Sequence, residues 1–357
     1  MRLNDISWDQ FDRLSADEKV PFLTEGDREL HVLVAQQFSR KRLEYLGNLA
    51  TEIRFIAKSR PGMAFLRDLL SNKRAMLYFT QPSTRTFLSF SAACQIVGMP
   101  IADVRDAATS SEFKGESQED SVRTFSSYFD CIIMRSQEKG LAERMAWVLS
   151  NSERPVSIIN AGSGKDQHPT QSLLDIYTLQ RSFERRNGID GKTIVFVGDL
   201  ARGRTVRSLA FLLSNYEKMK LVFVAPQKLQ IGTDVLEMLK KRGTKYEVTE
   251  DFAGIIPAAD AIYMTRVQDE WDKEKGESAR IDTSRYWFTA DHLKILKPHA
   301  IIMHPLPRRN EIATEVDHDH RAMYWRQMRN GMWIRAALLA SMFHRDDEIH
   351  SYHEKNL

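Results

Sequence analysis

Short apolar runs alternate with amphipathic stretches along most of the chain. The apolar runs are rich in Val, Ile, Phe and Tyr, and they show little alternation between apolar and polar positions. This pattern is typical of strands that helices cover on both faces. It predicts strands over residues 75–79, 131–135, 156–160, 193–198, 221–225, 261–265 and 300–303.

Helix-like stretches separate these predicted strands, and they lie over residues 87–97, 171–183, 205–214 and 232–241. Alternation of strands and helices indicates an α/β protein with parallel sheets. The chain has 357 residues, and at roughly 150 residues per domain this length favours two domains. We therefore predict the α/β class, with two domains that each hold a mainly parallel sheet flanked by helices.

Polar segments interrupt this pattern. Residues 1 to about 40 form a polar lead-in that the pattern does not assign to a core. Residues 105–120 and 267–285 form two longer polar segments, the second with a charged centre. Most such segments are solvated loops, although long loops in compact domains are often lids or binding loops. The pattern alone leaves both interpretations open.

The composition argues against several classes of protein. Lys and Arg number 51 against 48 Asp and Glu, so the net charge is +3, and no run of like charge suggests a nucleic-acid binder. Cys94 and Cys131 each lack a nearby second Cys or His, which excludes a zinc ribbon, a CxxC motif and a disulfide framework. The N-terminus has no secretory pattern, and no run approaches the roughly 18 apolar residues of a membrane span. We expect a cytoplasmic protein that binds neither nucleic acid nor membrane and uses no metal or other cofactor.

The first predicted strand ends in a segment suited to anions. Residues 80–86, with the sequence Thr-Gln-Pro-Ser-Thr-Arg-Thr, follow it and lead into a helix. Hydroxyl groups, a guanidinium and the free N–H groups of a helix N-terminus together favour phosphate. Ser83 or Thr84 could equally serve only as a helix cap, so the segment alone does not decide. Neither a GxxxxGK[ST] nor a GxGxxG motif is present, and nucleotide binding is therefore unsupported.

Later strand ends carry similar side chains. Arg135 ends the second predicted strand, and Pro169 at a first helical position places His168 and Gln171 just after the third. The remaining strand ends contribute Arg204, Arg266, Gln268 and the segment His304-Pro305-Leu306-Pro307-Arg308. Open α/β sheets bind ligands at the carboxyl ends of their strands. Cations and neutral donors there, with few carboxylates, predict a crevice for a pair of anionic substrates.

Several short motifs occur together in the order known from one enzyme family. They are Ser83-Thr84-Arg85-Thr86, Asn160-Ala161-Gly162, His168-Pro169-Thr170-Gln171, Tyr263-Met264-Thr265-Arg266-Val267-Gln268, His304-Pro305-Leu306-Pro307, and Asn330-Gly331 followed by Arg335. The match runs from about residue 45 to about residue 345. On these motifs the chain resembles the catalytic chains of the aspartate carbamoyltransferases, within the aspartate/ornithine carbamoyltransferase family.

The resemblance implies a domain organisation and an assembly. A carbamoyl-phosphate-binding domain would span residues 41–184, completed by a C-terminal helix over 324–357. An aspartate-binding domain would span 185–323, and an N-terminal extension would span 1–40. The family forms homotrimers with shared active sites, in which a polar loop inserts a Ser and a Lys into the adjacent subunit's site. Ser110 and Lys114 fit these positions. Whether a regulatory chain or a dihydroorotase also associates is left open.

The resemblance also implies roles for individual residues. The phosphate of carbamoyl phosphate would be held by Ser83, Thr84, Arg85 and Thr86. Its carbonyl oxygen would be polarised by Arg85, Thr86, Arg135 and His168. Its amide group would be fixed by Gln171 and by the backbone carbonyls of residues 305–307, with a cis bond between Leu306 and Pro307. The carboxylates of aspartate would be bound by Lys114, Arg204, Thr205, Arg266 and Gln268. The catalytic residues would be Arg85, Thr86, Lys114, Arg135 and His168.

The implied activity is that of a transferase of de novo pyrimidine biosynthesis, which moves the carbamoyl group of carbamoyl phosphate to L-aspartate. A dicarboxylate needs two cationic clamps, and Arg204 with the pair Arg266 and Gln268 supplies them. A relative specific for ornithine is expected to carry a Cys where this chain has Pro305. We therefore favour aspartate over ornithine as the acceptor.

Three positions depart from the family pattern. Gln81 stands where Glu is usual, Phe87 follows Thr86 where Arg is usual, and Trp271 lies where an Arg partner of that Glu often sits. In relatives the Glu–Arg pair is thought to support domain closure, and losing both partners together avoids an unpaired charge. Two alternatives remain open on the sequence: a carbamoyltransferase for another amino acid, and an inactive homologue that serves as a scaffold subunit.

Overall fold

The computed structural model describes residues 1–105, 115–162, 167–272, 274, 276 and 278–356, without the side chains at 271 and 278. The described chain divides into two compact units. Unit 1 comprises Met1–Tyr177 and Arg329–Leu357, and unit 2 comprises Thr178–Met328. In the part of the chain that the structure describes, no helix is both long enough and apolar enough to cross a bilayer.

Unit 1 is built on a parallel sheet of four strands. Its strands in chain order are β3 (Ala75–Phe79), β4 (Ile101–Val104), β5 (Cys131–Arg135) and β6 (Ser157–Asn160), and their order in the sheet is β4-β3-β5-β6. Before them, β1 (Thr24–Glu25) and β2 (Arg28–Glu29) form a small antiparallel hairpin. Every residue of β3 is buried, as the predicted cover by helices on both faces requires.

The helices that begin in unit 1 connect and flank these strands. They are α1 (Trp8–Arg13), α2 (Ala16–Leu23), α3 (Arg40–Ile56), α4 (Arg60–Asp68), α5 (Thr84–Ile96), α6 (Gln118–Ser126), α7 (Leu141–Ser150) and α8 (Pro169–Phe183). The C-terminal part of the chain adds α13 (Tyr324–Met342) and α14 (Asp346–Asn356). The predicted C-terminal helix thus ends at Met342 and is followed by a separate helix, with His344 between them at a φ of 56°.

The N-terminal segment packs into the core of unit 1, although its polar composition did not assign it there. The side chains of Phe11 and Leu23 are fully buried, and Trp147 Nε1 on α7 donates to the carbonyl of Ile6 at 2.9 Å. Val32 forms a parallel bridge with Ile159 of β6. The helices α1 and α2 are too short to show a periodic pattern, and for this reason the hydrophobic pattern of the sequence does not predict them.

Unit 2 holds a second parallel sheet. Its strands are β7 (Thr193–Val197), β8 (Lys220–Val224), β9 (Lys245–Thr249), β10 (Ala261–Met264) and β11 (Ile301–Met303), in the order β11-β10-β7-β8-β9. The helices are α9 (Arg204–Leu213), α10 (Thr233–Lys241), α11 (Phe252–Ile255) and α12 (Ala290–Ile295). Two parallel-sheet units flanked by helices confirm the predicted fold class.

Every predicted strand is present, with ends that differ from the prediction by at most one residue. The strands β4 and β9 were not predicted. Both lie at a sheet edge, and their residues are mostly exposed or half-buried. An edge strand lacks one neighbour and part of its cover, so it carries no unbroken apolar run. Its absence from the predicted set follows from that exposure.

Candidate active site

The segment after β3 forms the predicted helix start. Ser83 is the N-cap residue of α5, and Thr84, Arg85 and Thr86 occupy its first turn. Thr84 and Arg85 are exposed, whereas Thr86 is buried. Among the residues that the structure describes, none donates a capping bond to the Ser83 hydroxyl. Because Ser83 forms no side-chain capping bond there, this geometry favours the anion-binding interpretation over simple capping.

The departures at positions 81 and 87 lie on either side of this segment. The backbone N–H of Gln81 donates to the carbonyl of Arg135 at 3.1 Å and ties the segment to the end of β5. Phe87 is buried and meets the ring of Phe79 edge-on at 5.6 Å. The guanidinium of Arg105 lies 4.3 Å from the centroid of the Phe87 ring. A cation therefore stacks on the aromatic ring at the position where the family pattern has Arg.

The ends of β5 and β6 lie beside that of β3. Phe79 pairs with Arg135, and Met134 pairs with Asn160, so the carboxyl ends of the three strands share one edge of the sheet. Arg135 Nη1 donates to the carbonyl of Ala161 at 3.3 Å. The side chain of Asn160 accepts the N–H of Gly162 at 2.8 Å and shapes the turn that follows β6. The predicted anion segment and Arg135 are thus brought together in unit 1.

His168 is fixed by its packing against Gly162. The imidazole is buried, and a Cβ atom at position 162 would lie only 2.7 Å from His168 Cδ2 and 2.9 Å from its Nε2. Gly162 also has a φ of +97°, a conformation that favours glycine. Both features require glycine here. The Asn-Ala-Gly motif therefore places the imidazole at the carboxyl end of β6.

Gln171 and Arg335 are two further buried polar residues of unit 1. Gln171 is buried, and its Nε2 donates to Asp175 Oδ1 at 3.0 Å. Arg335 of α13 is also buried, donates to Ser89 Oγ at 2.5 Å and lies 4.6 Å from the centroid of Phe90 on α5. Burial lowers the pKa of Arg335 to about 9, so it stays charged at neutral pH. It supplies a fixed positive charge beneath the helix whose first turn forms the anion segment.

In unit 2 a buried aspartate joins two strand ends. Asp199 follows β7; its Oδ1 accepts the N–H of Arg202 at 3.1 Å and its Oδ2 accepts the N–H of Gln268 at 3.0 Å. Burial raises the pKa of Asp199 even though these hydrogen bonds oppose the shift. Arg204 and Thr205, both half-buried, begin α9 immediately afterwards. The carboxylate thereby brings the predicted aspartate-binding residues Arg204, Thr205 and Gln268 into one region.

Arg266, which follows β10, is engaged by acidic neighbours. Its guanidinium forms a two-point ion pair with Glu270, and its Nη1 also donates to the carbonyl of Val267 at 2.8 Å. Asp269 Oδ1 lies 3.7 Å from the same Nη1. Reasoning from the sequence did not identify Asp199, Glu270 or their contacts, although Asp199 does follow a predicted strand directly.

The end of β11 carries the His-Pro-Leu-Pro motif. His304 is fully buried; its Nδ1 accepts the N–H of Leu306 at 2.7 Å, so its Nε2 carries the proton that faces Glu311 Oε1 at 2.7 Å. Burial alone would raise the pKa of Glu311, but the contacts with His304 lower it overall. The bond between Leu306 and Pro307 is cis, as predicted. The imidazole therefore fixes the backbone of the turn that the resemblance assigned to the carbamoyl amide.

Ser110 and Lys114 lie outside the described residues. Within the ranges that the structure does describe, no group of three or more His, Cys, Asp and Glu side chains is arranged to hold a metal ion.

The chain matches models of both domains of one family. Residues 30–181 match the carbamoyl-phosphate-binding domain of aspartate/ornithine carbamoyltransferases, and residues 190–342 match their aspartate/ornithine-binding domain. Aspartate carbamoyltransferase 1, chloroplastic, of Pisum sativum is 40% identical over 309 residues, covering 86% of this chain and 77% of the relative. The catalytic subunit from Vibrio cholerae is 40% identical over 311 residues, covering 87% and 95%.

A solved structure extends the likeness to the fold. Aspartate transcarbamoylase from Trypanosoma cruzi, in complex with carbamoyl phosphate and aspartate, superimposes with a TM-score of 0.78 at 34% identity, over 87% of this chain and 96% of that one. These matches confirm the resemblance inferred from the motifs. The chain belongs to the aspartate/ornithine carbamoyltransferase family.

Proposed function

We propose that the protein is an aspartate carbamoyltransferase, which transfers the carbamoyl group of carbamoyl phosphate to L-aspartate and releases phosphate, in de novo pyrimidine biosynthesis. One observation carries most weight: the first turn of α5, Arg135 and His168 follow neighbouring strands at one edge of the unit 1 sheet. That arrangement offers donors to a phosphate and to a carbonyl oxygen together. The Trypanosoma cruzi enzyme, at 34% identity, has carbamoyl phosphate and aspartate bound.

Carbamoyl phosphate is proposed to bind through unit 1, with its phosphate at Ser83, Thr84, Arg85 and Thr86. Its carbonyl oxygen then faces Arg85, Thr86, Arg135 and His168. The amide group is proposed to be fixed by Gln171 and by the backbone at Leu306 and Pro307. The bond between Gln171 and Asp175 supports this role, because it holds the amide side chain in one orientation.

L-aspartate is proposed to bind through unit 2, at Arg204, Thr205, Arg266 and Gln268. Its two carboxylates need separate cationic clamps, which Arg204 and Arg266 supply from the ends of two neighbouring strands. Glu270 forms an ion pair with the guanidinium of Arg266. A carboxylate of the substrate therefore either shares or replaces that contact.

The reaction needs charge stabilisation more than acid–base groups. The uncharged amino nitrogen of aspartate attacks the carbonyl carbon, a C–N bond forms, and negative charge develops on the carbonyl oxygen. Preorganised donors at such an oxygen are typically worth about 3 kcal/mol each. The C–O bond to phosphate then breaks, and the leaving phosphate accepts the proton that the nitrogen loses. Binding both reactants in one orientation lowers the barrier further.

The adjacent subunit is proposed to complete the site with Ser110 and Lys114, in a homotrimer. Chains with Lys114→Ala and with Arg266→Ala should each be inactive alone, because each lacks a ligand of aspartate. Mixed trimers should regain part of the activity, since some sites then receive one intact copy of each residue. Verified mixed trimers that stay inactive would contradict a shared site.

One assay tests the reaction itself. Phosphate release from carbamoyl phosphate is measured with L-aspartate, L-ornithine and N-acetylated acceptors offered separately. We expect release with L-aspartate and formation of N-carbamoyl-L-aspartate, and an Arg266→Ala chain that still binds carbamoyl phosphate should show neither. Release with a different acceptor would indicate another carbamoyltransferase, and release with none would favour a scaffold subunit.

A further inference from the structure

The segment that follows β10 carries an acidic loop, defined here as residues 268–272. Three of its side chains are carboxylates, and each is paired with an arginine of unit 2: Asp269 with Arg309, Glu270 with Arg266, and Asp272 with Arg202. Only Arg266 was assigned to substrate in the proposed function. The other two arginines, Arg202 and Arg309, have no assigned role toward the substrate, so their contacts with the loop need a separate explanation.

Arg202 holds the loop from the β7 side. Its Nη1 donates to the carbonyl of Gln268 at 3.1 Å and to Asp272 Oδ1 at 2.7 Å. The side chain of Asp272 is only 7% exposed and that of Arg202 is 19% exposed, so the pair is largely withdrawn from water. The N–H of Gln268 is held by Asp199 at 3.0 Å. The backbone of Gln268 is therefore fixed at both its N–H and its carbonyl group.

Arg309 holds the other acidic side chain. Its Nη1 and Nη2 each donate to a carboxylate oxygen of Asp269 at 2.9 Å, in the parallel two-point geometry that arginine and carboxylate favour. These bonds lower the pKa of Asp269, so the carboxylate is charged at neutral pH. The same carboxylate lies 3.7 Å from Arg266 Nη1. Arg309 thus binds a carboxylate that is close enough to compete with substrate for Arg266.

This arrangement bears directly on the affinity for a dicarboxylate. Arg266 already has one intramolecular partner in Glu270, and a second carboxylate on its guanidinium would leave fewer donors for aspartate. A freed Gln268 would have to be ordered each time substrate binds, and ordering costs free energy. Both effects weaken aspartate binding and leave the carbamoyl phosphate groups of unit 1 unchanged.

We propose that Arg202 and Arg309 are positioning residues for the aspartate-binding residues of unit 2. Arg202 fixes the backbone of Gln268, and Arg309 holds Asp269 so that its carboxylate stays 3.7 Å from Arg266 Nη1, beyond hydrogen-bond distance. This inference rests on the proposed function, since it assigns roles toward the same substrate. Neither arginine needs to touch aspartate.

The test separates the Michaelis constants of the two substrates. We expect Arg202→Gln to raise the KM for aspartate about tenfold or more, because the variant removes one partner of a largely buried ion pair. Arg309→Gln should raise it about two- to fivefold, as its pair with Asp269 is exposed. The KM for carbamoyl phosphate should change less than twofold in both. Arg285→Gln is the matched control, because its ion pair with Glu250 is equally exposed and lies outside the acidic loop.

A double variant distinguishes the roles of the two arginines. Adding Asp269→Asn to Arg309→Gln removes the freed charge, so the KM for aspartate should return part of the way to that of the original chain. Asp272→Asn keeps an oxygen that can accept from Arg202, and its KM should rise less than that of Arg202→Gln. It also serves as the test if the Arg202→Gln chain fails to fold.

The outcomes separate this inference from the proposed function. If the original chain does not carbamoylate aspartate at all, the proposed function fails. If it does, but the KM for aspartate is unchanged in Arg202→Gln, in Asp272→Asn and in Arg309→Gln, the positioning roles are wrong. A double variant with a higher KM than Arg309→Gln alone would contradict the assignment of Arg309. Calorimetry in the presence of carbamoyl phosphate should give dissociation constants for succinate, a dicarboxylate without the reacting amine. Across the variants, these constants should rise in the same order as the KM for aspartate.

Discussion

In unit 1 the groups at the carboxyl edge of the sheet are fixed by close packing: His168 lies against a glycine that leaves no room for a Cβ atom, and the anion segment is the first turn of a helix. In unit 2 the corresponding arginines are held by carboxylates of one loop. Packing contacts resist changes in salt and pH, whereas ion pairs exposed to solvent, such as those of Glu270 and Asp269, are individually weak and screened. We infer that the groups proposed to bind carbamoyl phosphate are preformed and that those proposed to bind aspartate are adjustable.

The strongest test of the packed side is Gly162→Ala. The added Cβ atom would collide with the imidazole of His168, and the φ of +97° would be strained as well. Because His168 is a proposed donor to the carbonyl oxygen, we expect kcat to fall about 100-fold or more. Steady-state kinetics at saturating aspartate measure this.

Gly188→Ala is the control for that variant. Gly188 also has a positive φ, of +68°, but nothing lies within 4 Å of a Cβ atom there. It reproduces the backbone strain without the collision and should leave kcat nearly unchanged. An equal loss of activity in both variants would show that strain, and not the displacement of His168, is responsible.

The second test uses pH to perturb the packed core of unit 1. His31 is fully buried, and burial lowers its pKa to about 4. Below pH 6.5 the unfolded chain takes up a proton that the folded chain refuses, so the free energy of unfolding falls as the pH drops towards 4, by up to about 3 kcal/mol. Above pH 6.5 the residue contributes no pH dependence.

The variant His31→Asn isolates this contribution. Asn keeps an acceptor for the N–H of Ile158, which His31 Nδ1 accepts at 3.1 Å, but it does not titrate. Urea unfolding at pH 7, 5.5 and 4.5 should show a smaller loss of stability in the variant than in the original chain. His299→Asn, at an exposed position, should follow the original profile. Parallel profiles for all three chains would contradict the burial argument.

The third test addresses the carboxylate that joins the strand ends of unit 2. Asp199→Asn replaces one of two accepting oxygens by an amide donor, which then faces a backbone N–H. A buried hydrogen bond lost in this way costs about 1–3 kcal/mol, so we expect the KM for aspartate to rise about tenfold. Asp251→Asn is the control, because Asp251 also accepts a backbone N–H, from Gly254, but is exposed. An unchanged KM in Asp199→Asn would mean that Gln268 is positioned by other contacts.

The sequence predicts the central strands of each sheet but not the edge strands β4 and β9, for a physical reason. Strands such as β3 and β10 are buried throughout and therefore appear as unbroken apolar runs. β4 and β9 expose much of their length and carry no such run. The helices α1 and α2 are shorter than a clear amphipathic period requires. Burial on both faces is thus the property that makes a strand of this fold recognisable in the sequence.

The site divides in a similar way. Parallel strands end at a common edge, so Arg135 and His168 can be assigned to one site from their positions after strands. The residues that hold the site, such as Asp199 and Arg309, could not be assigned. Asp199 meets Gln268 across 69 positions of sequence, and Arg309 meets Asp269 across 40. Such long-range pairs depend on how the loops fold back, which no local pattern records.

The smallest expected effect concerns the contact between Arg105 and Phe87 in unit 1. The guanidinium of Arg105 lies 4.3 Å from the centroid of the Phe87 ring, beside the anion segment. Such a contact at an accessible site is worth about 0.5–1 kcal/mol.

A double-mutant cycle with Arg105→Gln and Phe87→Leu should therefore give a coupling of this size in the free energy of unfolding. Because the edge-on contact between Phe79 and Phe87 does not involve Arg105, it contributes to the Phe87→Leu single variant and cancels in the cycle. Zero coupling would mean that Phe87 is held by packing alone. A coupling of the expected size would show that the packed region of unit 1 also uses one charged group, in a cation–π contact with an aromatic ring and not in an ion pair with a carboxylate.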